Sequence, residues 1–237
     1  GLCAEEYYEV FSDVPQVHMS AWYDPYSRTA TDNYKMLSSS KKGPVTLLMG
    51  PWTHGARSVT YSGDADFGQA AVLDGNLAID FNHLRLRFFD RWLKGTGNGL
   101  ENEPPVKLFV MGGGSGRKNP QHRLDHGGQW RSESDWPLAR AQETPFYLIP
   151  GGALSGYAPT GLNPPSTYLF DPEHPVPTVG GNISSGQPVM AAGGFDQRES
   201  EEFFGSEEPY LPLASRPDVL VFQTELLDED TEITGPI

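Results

Sequence analysis

The chain has 237 residues, 37% of them hydrophobic, a length that suits one or two domains with a sizeable core. Its formal net charge of −14 argues against nucleic-acid binding, because phosphate contacts need clustered lysine and arginine side chains. Cys3 is the single cysteine, which excludes an intrachain disulfide, and no apolar run approaches the roughly 18–20 residues that span a bilayer. We therefore expect no nucleic-acid and no membrane partner. The sequence does not fix the compartment and favours the cytoplasm only slightly.

The first predicted strand lies around Val17 and is followed by a small residue, two aromatic residues and Asp24. A short helix is predicted next, running to about Ser39. Thr31 and Asp32 are its expected caps, because their side-chain oxygens can accept hydrogen bonds from first-turn N–H groups. Asp24 should therefore lie at the end of a strand, just before a helix.

A second strand is predicted over Val45–Met49, a continuous apolar run of the kind found in buried strands. The sequence GPWTHG follows at once, so His54 should lie in a loop at the end of that strand. Residues 76–94 give the strongest predicted helix, which Gly95 ends. Its apolar face has residues at spacings of three and four, namely Leu77, Phe81, Leu84, Phe88 and Trp92.

The pattern changes from Pro104 onward, where short apolar or alternating runs are broken by clusters of glycine and proline. Such a pattern is typical of all-β structure. The number of separate runs favours a jelly-roll sandwich. We place a domain boundary near 100–105 and predict strands in the runs at Val106–Met111, Phe146–Ile149, Thr167–Phe170 and Val219–Thr224.

An aspartate and then a histidine, each closing a predicted strand, suggest two members of a catalytic triad. α/β-Hydrolases carry their triad in the order serine, acid, histidine, with the serine on a G-x-S-x-G turn. Only 23 residues precede Asp24, and the chain contains no G-x-S-x-G sequence. The glycine-rich stretch 112–116 comes closest and fails the spacing. The two chain ends also lack the polar, tapering sequence of natural termini, so we expect a piece of a longer protein.

Several blocks of sequence, in the same order along the chain, resemble the CocE/NonD-type hydrolases. That group includes cocaine esterases, α-amino-acid ester hydrolases, glutaryl acylases and X-Pro dipeptidyl-peptidases. The residue before Trp22 departs from the group, where Ala21 replaces the usual glycine, and the serine-bearing part is absent. The blocks are AWYDPYSRTATDNY (21–34), GPVTLLMGPWTHG (43–55), LRLRFFDRWLKGTGNG (84–99), DPEHPVPTVGG (171–181), FDQR (195–198) and DVLVFQTELLDEDTEITGPI (218–237).

The resemblance implies an α/β plus all-β fold: residues 1–103 as the end of an α/β-hydrolase domain, and 104–237 as part of a jelly-roll, galactose-binding-like domain of the X-Pro dipeptidyl-peptidase C-terminal type. It also implies hydrolysis of an ester or amide through an acyl-serine intermediate, as in esterases and acylases, without a cofactor. The expected partner is a small-molecule ester or amide, and homo-oligomerisation stays open. This chain alone should be inactive, because it lacks the nucleophile.

In this interpretation His54 is the base that takes the proton of the serine, and Asp24 fixes the tautomer and orientation of its imidazole. An Asx turn, favoured by Pro25, is an alternative role for Asp24 that is compatible with the first. Aromatic side chains beside a hydrolase site often shape its pocket, and core packing is an equally good account of them. The candidates are Trp22, Tyr23 and Trp52.

No metal site is expected, because the remaining histidines lack metal-ligand spacing. His18 falls within a strand, where a structural role is favoured. A hydrolase with X-Pro dipeptidyl-peptidase activity is one alternative function, and a jelly-roll module that binds carbohydrate or a partner without catalysis is another. Family members that select a free α-amino group carry acids two and three positions after the catalytic aspartate. Tyr26 and Ser27 stand there, which implies neutral or anionic acyl groups.

Overall fold

The computed structural model describes residues 3–161, 164–183 and 190–235. It divides into two compact units. Unit 1 comprises Gly1–Ala139 and Gly180–Phe195, and unit 2 comprises Arg140–Val179 and Asp196–Ile237. In chain order the strands and α-helices are β1 (Gln16–Tyr23), α1 (Ser27–Ser40), β2 (Val45–Thr53), β3 (Tyr61–Ser62), β4 (Ala65–Asp66), α2 (Phe81–Trp92), β5 (Val106–Met111), β6 (Leu124–Asp125), β7 (Gly128–Glu133), β8 (Tyr147–Ile149) and β9 (Ala153–Ser155).

A four-stranded mixed sheet in the order β1-β2-β5-β7 organises unit 1. β1 pairs with β2 and β2 with β5 in parallel, whereas β7 runs antiparallel to β5. A small second sheet in the order β3-β4-β6 lies in the same unit. Because β1 and β2 are parallel neighbours, their carboxyl ends reach the same edge of the main sheet.

The main sheet is covered on both faces by apolar side chains, as alternation along β2 requires. Leu47 and Met49 point to one face, where they pack with Tyr34 and Leu37 of α1. Leu48 points to the other face, where Leu77, Phe81 and Leu84 pack against its cluster, and Trp52 belongs to that cluster too. Parallel strands buried on both faces read as continuous apolar runs, which explains the unbroken apolar sequence of β2.

Both predicted helices exist, but each begins at a different residue from the one expected. α1 starts at Ser27 and has no side-chain cap, so the expected caps Thr31 and Asp32 are wrong. Thr31 instead donates to main-chain carbonyls one turn back. α2 starts at Phe81, because the Asp80 side chain accepts a hydrogen bond from the backbone N–H of His83. A side-chain cap therefore sets the start of α2 alone, whereas α1 begins without one.

Unit 2 contains little regular structure among its described residues. β8 and β9 form an antiparallel hairpin, and residue 153 bridges to Gln223. The strands predicted at Thr167–Phe170 and Val219–Thr224 are wrong, apart from that bridge. Among the described residues, 167–170 belong to no strand or bridge, and Leu169 is 86% exposed. An apolar run cannot by itself supply the neighbouring strand that a sheet needs.

The main sheet extends across the predicted domain boundary between 103 and 104. β5 and β7 follow that boundary in sequence and pair with the strands that precede it. The division into 1–103 and 104–237 therefore stays a prediction about the domains, distinct from the two compact units described above. In the described ranges, no helix is both long and apolar enough to cross a membrane.

Candidate functional site

Asp24 directly follows β1, and His54 directly follows β2, as the sequence predicts. The two strands pair in parallel from Gln16 opposite Val45 to Tyr23 opposite Thr53. Two side chains that are far apart in sequence therefore meet at one edge of the sheet. Positions beyond the carboxyl ends of parallel strands are where sites in α/β sheets form.

A bulge in β2 lies just before His54 and changes the register of the two strands. Ala21 pairs with Gly50 and Tyr23 pairs with Thr53, so β2 uses one residue more than β1 over this stretch. The Trp52 ring folds back over Gly50, where a Cβ would lie 2.3 Å from a ring atom. Only glycine fits there, and bulges of this kind re-aim the side chain that follows.

The Asp24 carboxylate is buried and uses both of its oxygens. Its side chain is 8% exposed. Oδ1 accepts a hydrogen bond of 2.8 Å from the backbone N–H of Tyr26. Oδ2 lies 3.0 Å from Nδ1 of His54. The Asx turn and the contact to histidine, which the sequence left as compatible alternatives, therefore both exist, and together they fix the carboxylate.

The His54 imidazole is held on one nitrogen and open on the other. Its side chain is 64% exposed. When Nδ1 donates to Asp24, Nε2 carries a lone pair and can accept a proton from a neighbouring hydroxyl. Among the described residues, no hydrogen bond reaches Nε2. The Tyr26 ring meets the imidazole edge-on, with centroids 5.4 Å apart and planes at 70°.

The three aromatic candidates for a pocket all take part in packing. Trp22 donates its indole N–H to the Phe109 carbonyl at 2.7 Å. Trp52 is 3% exposed and donates to the Ala71 carbonyl at 2.8 Å. Burial raises the pKa of Tyr23 above its ordinary value. These contacts are those of core residues, and a role for the three in a substrate pocket stays a prediction.

A cavity of about 480 Å³ lies on the α2 side of unit 1, at the opposite ends of the strands from Asp24 and His54. It is lined largely by apolar side chains from β1, β2 and α2. It therefore does not belong to the site described above. Lining residues include Val17, Leu48, Leu84, Phe88 and Trp92.

The described residues contain no group of three or more histidine, cysteine, aspartate or glutamate side chains placed to hold a metal ion. His18 lies within β1, and burial lowers the pKa of its imidazole. A second Asp–His contact, which the sequence reasoning missed, lies in unit 2: His174 Nδ1 is 3.1 Å from Asp171 Oδ2. The sequence signal for this contact was an aspartate and a histidine three positions apart in a turn. Both side chains are more than half exposed.

Comparisons with known proteins show the family of this chain. Residues 98–237 match the model of the X-Pro dipeptidyl-peptidase C-terminal non-catalytic domain. Cocaine esterase from Rhodococcus sp. is 30% identical over 233 residues, which cover 94% of this chain and 34% of that protein. The chain belongs to the CocE/NonD hydrolase family. The resemblance noted in the sequence is thereby confirmed.

A solved structure gives a likeness of fold to this CocE/NonD chain. An aminopeptidase from a marine sediment Thaumarchaeota archaeon has a TM-score of 0.52 and 22% identity, over 73% of this chain and 26% of that one. A CocE/NonD family hydrolase from Staphylococcus aureus has a TM-score of 0.40 and 19% identity, over 61% of this chain and 21% of that one.

This CocE/NonD chain spans about a third of the length of cocaine esterase. The match to the non-catalytic domain begins at residue 98. Asp24 and His54 therefore both lie before the matched range, in the part of the chain that contains the parallel strands. Any catalytic role of this chain has to be sought in that earlier part.

Proposed function

We propose that this chain carries the acid, Asp24, and the base, His54, of a serine hydrolase that cleaves an ester or amide bond. The observation behind this proposal is the hydrogen bond of 3.0 Å between His54 Nδ1 and the buried Asp24 carboxylate. Membership of a hydrolase family supports it. A hydrolase needs such a pair because a serine hydroxyl is too weak an acid to attack an acyl carbon unaided.

The chemistry assigned to each group follows from its position. His54 Nε2 takes the proton of the serine hydroxyl as the hydroxyl attacks, and later gives a proton to the leaving group. Asp24 accepts the hydrogen bond from Nδ1, which keeps the lone pair on Nε2 and stabilises the imidazolium when it forms. The serine comes from sequence outside these 237 residues, as the missing G-x-S-x-G turn suggests.

The finer domain assignment is part of the same proposal. Residues 1–103 are the end of an α/β-hydrolase domain, and residues 104–237 are part of a jelly-roll domain. Parallel pairing of β1 with β2, and helices packed on opposite faces of β2, support the first assignment. The match of residues 98–237 to a non-catalytic domain supports separating the second part from the chemistry.

A pure binding module is the less favoured function for the whole chain. Residues 98–237 match a non-catalytic domain, and carbohydrate or partner binding suits that part alone. It gives no account of the contact between Asp24 and His54, which lies before that range. An X-Pro dipeptidyl-peptidase must hold the free amino group of a peptide, and the neutral Tyr26 and Ser27 after Asp24 favour an esterase or acylase instead.

Fluorophosphonate labelling of the full-length enzyme tests the proposal, because the probe traps an activated serine. We expect labelling of one serine in the wild type and a rate lower by at least about a hundredfold in His54→Ala. His174→Ala is the matched control, since it removes the imidazole of the exposed Asp171–His174 contact. Equal labelling of the wild type and His54→Ala would contradict the assignment of the base.

A further inference from the structure

In the proposed function the His54 imidazole must present one nitrogen accurately. Few contacts hold the ring in place. Its side chain is 64% exposed, so the core does not enclose it. Two specific interactions restrain it within the described residues. They are the hydrogen bond to Asp24 and the edge-on contact with the Tyr26 ring.

A single hydrogen bond on Nδ1 leaves the imidazole free to tilt about that bond. Tilting carries Nε2 away from any fixed point while the bond to Asp24 survives. An edge-to-face ring contact adds a second restraint, because aromatic pairs favour edge-to-face or offset-stacked arrangements over a face-to-face sandwich and lose energy when the rings move apart. With planes at 70° and centroids 5.4 Å apart, Tyr26 favours one tilt of His54.

We infer that Tyr26 is a positioning residue that aims Nε2 of His54. The inference rests on the proposed function, in which Nε2 accepts the proton of the serine. Tyr26 contacts both members of the pair: its backbone N–H donates to Asp24 Oδ1 at 2.8 Å, and its ring meets the imidazole. One residue between β1 and α1 therefore restrains the carboxylate through its main chain and the imidazole through its side chain.

The two contacts of Tyr26 can be separated by substitution. Tyr26→Ala removes the ring and keeps the backbone N–H that binds Asp24. The side chain is 55% exposed and belongs to none of the buried clusters, so its loss leaves the core intact. The hydroxyl forms no hydrogen bond with a described residue, and Tyr26→Phe should therefore preserve the contact.

Kinetics of the full-length enzyme give the first test. For Tyr26→Ala we expect kcat for a p-nitrophenyl ester to fall about three- to tenfold with little change in KM, matching the worth of one ring contact. Tyr26→Phe should restore kcat to within about twofold. Tyr157→Ala, which removes a tyrosine ring that is 87% exposed, is the control and should leave kcat unchanged.

Two kinetic outcomes would overturn the inference. A higher KM with unchanged kcat in Tyr26→Ala would mean that the ring binds substrate. Equal losses in Tyr26→Phe and Tyr26→Ala would mean that the hydroxyl, and not the ring, is what matters. Either result leaves the roles of Asp24 and His54 intact, so it differs from a failure of the proposed function.

Imidazole ¹⁵N spectra of histidine-labelled protein give a second test that needs no activity. The His54 signals are assigned by their loss in His54→Gln. In Tyr26→Ala we expect Nδ1 of His54 to stay protonated, because its bond to Asp24 survives a tilt. The order parameter of the Cε1–H bond of the same ring, measured by ¹³C relaxation, should fall as the imidazole becomes free to tilt. An unchanged order parameter would overturn the inference. If His54→Ala were as active as the wild type, the proposed function would fail while this order parameter still reported on the ring contact.

Discussion

His54 Nδ1 lies 3.0 Å from Asp24 Oδ2 across 30 residues of sequence, because two parallel strands end side by side. The Asp171–His174 contact has nearly the same length, 3.1 Å, and spans three residues of a turn. The Asp24 side chain is 8% exposed and that of Asp171 is 52% exposed. A carboxylate withdrawn from water holds its partner more strongly, which is why we assign the chemistry to the first pair.

The chain alone should not turn over ester substrates. Its 237 residues contain no G-x-S-x-G turn, and no described residue forms a hydrogen bond with His54 Nε2. Loss of a triad serine removes most of the catalysis in comparable enzymes. A p-nitrophenyl ester assay measures this directly. Turnover well above buffer that a fluorophosphonate abolishes would show a nucleophile within this chain.

The full-length enzyme should prefer acyl groups without a free α-amino group. A desolvated ammonium needs an opposing charge, and Tyr26 and Ser27 after Asp24 offer only neutral acceptors. Arg28, the next residue, adds a positive charge that Asp32 pairs with at 3.1 Å. We therefore expect kcat/KM for a phenylacetate ester to exceed that for the matching phenylglycine ester. A preference of about tenfold or more for the aminated ester would contradict this expectation.

Stability should fall between about pH 10 and pH 12 through Tyr34. Burial, and then Asp135, raise the pKa of Tyr34 from 10.0 to about 12. The folded state thus keeps a proton that the unfolded chain loses. The free energy of unfolding therefore falls by up to roughly 2 kcal/mol as pH rises through this window. Melting temperatures of the full-length protein at pH 9 and pH 11.5 measure the loss. Tyr34→Phe should show a smaller loss, and equal losses would exclude Tyr34 as the cause.

The isolated chain should associate in solution. β1 is an edge strand whose buried Ser20 Oγ and His18 Nε2 have no hydrogen-bond partner among the described residues. An unpaired strand edge favours aggregation, and so do exposed apolar side chains such as Leu86 and Leu93. Size-exclusion chromatography measures the outcome. A monodisperse monomer with a sharp cooperative melt would contradict this prediction.

The strand ends that carry the site could be predicted from sequence, because the apolar run of β2 is long and GPWTHG follows it at once. Contacts between distant residues could not be predicted from local patterns. The start of α1 depends on the Asx turn at Asp24, whose backbone contact to Tyr26 precedes the helix. The run at 167–170 is largely apolar, as strands often are, and only the fold shows that no strand among the described residues pairs with it.

The sequence also did not predict how far along the chain the main sheet extends. β5 begins at Val106, after the composition changes, yet it pairs in parallel with β2. Composition reports local preferences, whereas sheet membership depends on which strand lies alongside in space. The ring contact of Tyr26 with His54 was missed for the same reason, because it appears only in three dimensions.

The central claim is that Asp24 and His54 act as the acid and the base of a serine hydrolase. The most direct measurement is kcat/KM of the full-length enzyme for one ester, compared among Asp24→Asn, His54→Ala and the matched controls Asp171→Asn and His174→Ala. We expect a loss of about 10⁴-fold for Asp24→Asn, a loss of similar or greater size for His54→Ala, and less than about a twofold change in each control. Retention of more than about a tenth of wild-type activity by Asp24→Asn, with the fold intact, would contradict the account.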